Sequence, residues 1–208
     1  GVTNAGLVQG SSYAGIAVLN GSIVNGGIQN QVDGTVTGQV FGVFALNSTI
    51  GGGLTNSGLI SSNNAGLYAN NSDIFGSINN HGRIVGGNYG IQLANSTLAG
   101  SINNSGLIHG GQTGIYLDHS NILGGLNNSG TIIGISNYGI TLSHSTLNGG
   151  FTNTGVILGN GGNHENIHLV DSIIVGSVSN SGTISGTRTG ISVVNNTITG
   201  SLVNSGVI

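Results

Sequence analysis

The sequence predicts an all-β protein: a right-handed parallel β-helix, or β-solenoid, of about eight coils, with about 24 residues and three short strands in each. Three observations predict it. One turn-like phrase recurs at nearly constant spacing. Short apolar pieces between its copies alternate with polar residues. The chain carries almost no charge.

The phrase reads "LTNSGLI" at 54–60, "INNHGRI" at 78–84, "INNSGLI" at 102–108, "LNNSGTI" at 126–132, "VSNSGTI" at 178–184 and "LVNSGVI" at 202–208. Its glycine serves as an anchor and falls at Gly6, Gly34, Gly58, Gly82, Gly106, Gly130, Gly155, Gly182 and Gly206. The intervals are 28, 24, 24, 24, 24, 25, 27 and 24 residues. A fixed period in this range marks a stacked repeat architecture.

Three apolar pieces follow each anchor. The first is "GLI" at 58–60 or "GRI" at 82–84. The second is "GIQL" at 90–93, "GIYL" at 114–117 or "GITL" at 139–142. The third is "STLAGSI" at 96–102 or "SNILGGL" at 120–126. Alternate positions are apolar within them, as in Ile115 and Leu117, which is strand periodicity. The pieces are too short and too glycine-rich for helices. Three strands and three corners close one coil, and each strand pairs in parallel with its copies above and below. Coils spaced ~4.8 Å apart make a rod of roughly 40 Å. Parallel crossovers are right-handed in ~98% of cases, which sets the expected hand.

Asn and Gly are expected to build the corner, because both tolerate positive φ. Stacking then puts like residues in columns. Asn4, Asn56, Asn80, Asn104, Asn128, Asn153, Asn180 and Asn204 all stand two before the anchor, and an amide ladder is expected along them. A second column holds Ser48, Ser72, Ser96, Ser120, Ser145 and Ser172, and ends in Asn196. The coil at 6–34 departs from the pattern, with Val32 at the Asn position and four extra residues.

Stacking also accounts for the composition. Only 3% of the 208 residues are charged, against roughly 25% in ordinary domains. A charge repeated on every coil would face its copy ~4.8 Å away, at about 1 kcal/mol per pair even in water. The 42 glycines and 29 asparagines supply neutral corners. Proline is absent, which suits strands whose N–H groups are all needed in ladders. Arg83 and Arg188 are the only basic residues besides histidine, so no nucleic-acid footprint exists. No apolar run approaches the ~18 residues of a membrane span. There is no cysteine for a disulfide framework.

The phrase "GSINNSGxI…GIxLxxSTLxG" resembles the repeats of bacterial autotransporter passenger domains and related large surface adhesins, over nearly the whole chain. The resemblance implies a secreted, extended protein at a Gram-negative cell surface or outside the cell. Residues 1–208 read as a single solenoid segment of a longer array, without capping or secretion domains in it. Self-association, end to end or side by side, is the expected partnership. The alternative is an adhesin module for a glycan or a host protein. A polysaccharide-degrading enzyme is the third reading, and it is disfavoured: Asp33, Asp73, Asp118, Glu165 and Asp171 do not cluster as catalytic carboxylates would. No cofactor and no metal are expected.

Two places stand out for partner contacts, and one further column for its residue types. The aromatics gather around the second strand, with Phe44, Tyr68 and Tyr116 at its outward position and Tyr89 and Tyr138 just before it. Such a face suits sugars or a neighbouring rod; the plainer reading is scattered surface rings. The stretch 159–171, "GNGGNHENIHLVD", carries an insertion with His164, Glu165 and His168. It reads as a surface loop bulging from the rod, the place where repeat proteins often bind. Last, His119, His144 and Asp171 share a column that holds Asn in other coils.

Overall fold

The computed structural model describes residues 1–162 and 165–208, and among these there is no helix. A coil consists of four strands of three, four, six and two residues, as in Leu54–Asn56, Leu59–Ser62, Ala65–Asn70 and Asp73–Ile74. These form four parallel sheets, one of nine strands and three of eight, in which each strand pairs with its counterparts in the coils before and after. The molecule is a β-solenoid of about eight turns.

Four strands per coil replace the three expected. The third apolar piece splits, giving Thr97–Leu98 and Ile102–Asn104. Gly100 and Ser101 turn the chain between them. The Ser101 N–H donates to Ser77 Oγ of the preceding coil at 3.1 Å. A Cβ on Gly100 would meet Ser77 Cα at 2.7 Å, so the close approach admits only glycine. Apolar alternation runs through this turn in the sequence and hides it.

Inside the coil the strand periodicity does what it predicts. Ile78, Ile84, Ile91, Leu93 and Leu98 of one coil are fully buried, and so are Ile102, Ile108, Ile115, Leu117 and Ile122 of the next. The register places Ile78 over Ile102, Ile84 over Ile108 and Leu93 over Leu117. Identical branched side chains therefore pack in rows along the axis. A one-residue slip would turn a whole row outward, so burial locks the register.

The asparagine column is a continuous inner ladder. Each Nδ2 donates to Oδ1 of the next coil, from Asn56 to Asn80, Asn80 to Asn104 and Asn104 to Asn128, each at 2.8 Å. The chain of bonds goes on through Asn153 and Asn180 to Asn204. Each amide also donates to backbone carbonyls, as Asn56 does to Gly58 at 3.1 Å and Arg83 at 3.0 Å. These bonds satisfy groups that would otherwise be buried and orphaned. The early coil does not break the ladder. Asn30, in "IQN", takes the rung between Asn4 and Asn56, and the inserted residues bulge out after it, leaving Val32 exposed. Anchoring the alignment on the glycine misplaced this rung.

The serine column works differently, through backbone. The N–H groups of Ser72, Ser96 and Ser120 donate to the hydroxyls of Ser96, Ser120 and Ser145 at 3.1–3.2 Å. Each hydroxyl then donates back to a carbonyl two residues earlier, as Ser96 does to Ala94 at 2.8 Å.

Positive φ is not found where it was expected. Neither the ladder asparagines nor the anchor glycines have it. The anchor glycine is there for space: a Cβ on Gly106 would run into the carbonyl of Gly82. Positive φ falls at the corner after the six-residue strand, at Asn47, Asn71, Asn95, His119, His144, Asp171 and Asn195, with φ near 47–54°. Asn is among the few non-glycine residues that adopt this conformation readily, and Asp and His follow it.

Candidate functional site

The six-residue strands form the face with the most outward chemistry. Their outward column runs Phe44, Tyr68, Gln92, Tyr116, Thr141, His168. The rings fall into three groups. Tyr13, Phe41, Phe44 and Tyr68 pack edge-on and stacked at centroid distances of 4.6–5.5 Å. Phe41 and Phe44 are buried in that group, so Phe44 is covered by its neighbours and not presented to solvent as expected. Tyr89 stacks on Tyr116 at 5.5 Å and 22°. Tyr138 stacks on His168 at 4.8 Å and 15°.

Thr141, small where the neighbouring coils carry Tyr116 and His168, opens a groove of about 310 Å³ between the last two groups. Tyr116 and Tyr138 wall it, with Thr113, Asn137 and Ser143 alongside. Thr141 Oγ1 and His168 Nδ1 are buried there, and neither has a hydrogen-bond partner among the described residues. The nearest carboxylate to that nitrogen is Glu165 Oε2, at 3.7 Å. Burial, aided by the charge of Asp118, pushes the phenols of Tyr68 and Tyr116 above their usual range. Burial and Glu165 do the same for Tyr138. All three therefore stay neutral donors in ordinary conditions.

The stretch 159–171 is not a loop throughout. Glu165–Val170 is a strand of this same sheet, paired with Ile140–Ser143 and Thr189–Val194. Glu165 and His168 thus belong to the aromatic face. His164 lies outside the described residues. The parallel ladder, which the apolar alternation of Ile167 and Leu169 supports, outweighs the polar look of the segment.

The histidine column is as expected in place and tighter than expected in contact. His119 and His144 lie parallel, with centroids 4.6 Å apart and planes 4° apart. Asp118 Oδ1 is 2.9 Å from His119 Nδ1, and Asp171 Oδ2 is 3.6 Å from His144 Nε2. One ligand atom from each of Asp118, His119 and His144 falls within 4.8 Å of the others.

Sequence reasoning missed two outer amide ladders. Asn127 donates to Asn103 and Asn103 to Asn79, at 2.9 and 2.8 Å. Gln112 donates to Asn88 and Asn88 to Asn64, at 3.0 and 2.9 Å. Their signal was the second Asn of "INN" and "LNN", and a polar residue recurring 24 positions apart.

Fold and site together define a β-solenoid with an aromatic long-strand face. No family model matches the chain, and no match was found among curated proteins or solved structures.

Proposed function

We propose that the segment is a stiff structural element of an extracellular bacterial stalk or filament, serving matrix formation, adhesion or cell–cell contact. The observation that carries this reading is the unbroken inner ladder from Asn4 to Asn204, in which every coil repeats the same bonds with the same neighbours. The function proposed is structural and not enzymatic. The resemblance of the repeats to surface adhesins supports the location. Side-by-side association is favoured by an edge on which Phe75, Leu123, Ile173 and Val175 are exposed. Electron microscopy of the purified chain tests the proposal. Stiff rods that bundle or elongate are expected, and flexible or globular particles would refute it.

A second reading, a glycan-binding adhesin module, is favoured by the groove at Thr141. Flat rings beside buried polar atoms without partners are what a sugar ring uses: a face to stack on and hydrogen bonds at its edge. On a glycan array, signal lost in Tyr116→Ala and Tyr138→Ala supports this reading. An array blank for the unaltered chain removes it.

A further inference from the structure

We propose that His119, His144 and Asp171 form a binding site for a borderline divalent transition metal of the zinc class, built on three successive coils, with Asp118 as the residue that orients His119.

Three observations meet at this corner. First, the left-handed conformation at φ 47–48° projects all three side chains from equivalent points of adjacent coils. The same column holds Asn47, Asn71 and Asn95 before them and Asn195 after, so the metal-ligating residue types are confined to one run of three coils. Second, Asp171 Oδ2 stands 3.6 Å from His144 Nε2. Two ligand atoms around a tetrahedral zinc, each ~2.0–2.1 Å from it, lie roughly 3.4 Å apart, so this pair is nearly spaced for a shared ion. Third, each histidine has a polar partner at its Nδ1. A neutral His119 that donates from Nδ1 to Asp118 at 2.9 Å leaves its Nε2 lone pair free. His144 has Ser143 Oγ on its Nδ1, also at 2.9 Å, and in the tautomer that donates to this hydroxyl the same lone pair is free. Such a carboxylate or hydroxyl behind a histidine is the usual support of a zinc ligand. The two imidazoles stack with planes 4° and centroids 4.6 Å apart, so a shared ion requires His119 to turn its ring toward His144; the two side chains are 55% and 50% exposed. Two nitrogens, one carboxylate and a water complete four-coordination, the donor set that zinc prefers.

An ion held here ties three coils together from outside. It binds the folded chain alone, since unfolding scatters the three residues, and so it stabilises by mass action.

Calorimetric titration of the chelator-treated chain with zinc chloride tests the site, with cobalt(II) absorption as a second probe of tetrahedral geometry. One zinc per chain and a melting temperature that rises with zinc are expected. His119→Asn and His144→Asn place in the column the residue that it already carries in other coils, so both variants are expected to fold. Each should weaken zinc at least tenfold and abolish the cobalt bands, while Asp118→Asn weakens zinc by about 10–100-fold. His168→Ala should leave binding unchanged. Absence of zinc binding to the unaltered chain, or binding that survives both histidine substitutions, would overturn the proposal.

Discussion

Asn104 donates to Asn128 Oδ1 and to the carbonyls of Gly106 and Thr131, and it accepts from Asn80. Four bonds converge on one buried amide, which is why the column tolerates no other residue in the described coils. Asn104→Ala would leave the Asn128 Oδ1 acceptor without the amide that donates to it in a dry interior, and would take one bond from Asn80, which keeps the carbonyls of Gly82 and Leu107. It should cost about 3 kcal/mol or more in denaturant unfolding. Asn127→Ala, on the exposed outer ladder, should change stability by no more than about 0.5 kcal/mol. Comparable losses at both positions would mean that burial is not what makes the rung matter. Gly106→Ala tests the anchor differently. Its methyl must displace the carbonyl of the coil before it, so the ladder itself has to part, and a loss of soluble folded protein is expected.

Among the elements, the six-residue strand carries both the core and the aromatic face. Ile91 and Leu93 point in while Gln92 points out, and the pattern repeats coil by coil. That alternation was plain in "GIQL" and "GIYL", as was the outward place of Tyr68 and Tyr116. The fourth strand and the groove at Thr141 were not. The turn at Gly100 depends on a serine hydroxyl from another coil, and the groove depends on which residues stack above and below Thr141. Both are relations between distant windows, and a local pattern cannot express them. The positive-φ corner was assigned to the wrong asparagine for a similar reason. Composition says that some Asn must take it, and only the neighbouring carbonyls decide which. The buried phenols allow a test at this scale. Tyr68, Tyr116 and Tyr138 have pKa values raised above 10.0 by burial first and by nearby negative charge second. Above that pH the folded chain therefore binds more protons than the unfolded one. Stability should be flat below it and should fall as the pH rises through the range where these phenols ionise. Tyrosinate absorbance should lag in the native chain and lose the lag in denaturant. Coincident native and denatured titrations would show the rings to be solvated.

For the whole molecule, contacts are quasi-one-dimensional: each coil bonds to the one before and the one after. The overall plan was legible because repetition multiplies a weak signal. One "NSG" says turn, and nine anchor glycines at near-constant spacing, five of them in "NSG", say stack. Every rung of the inner ladder gives its hydrogen in the same sense along the axis, so one repeat is interchangeable with another. A chain lacking residues 80–103 joins Asn79 to Asn104 and restores "INNSG", with Asn56 now donating to Asn104. That chain should fold, and should be shorter by one strand spacing of ~4.8 Å. A gene encoding such a protein could lengthen or trim its product by whole repeats, through unequal recombination, without redesigning any junction, which would make reach a trait adjustable in steps.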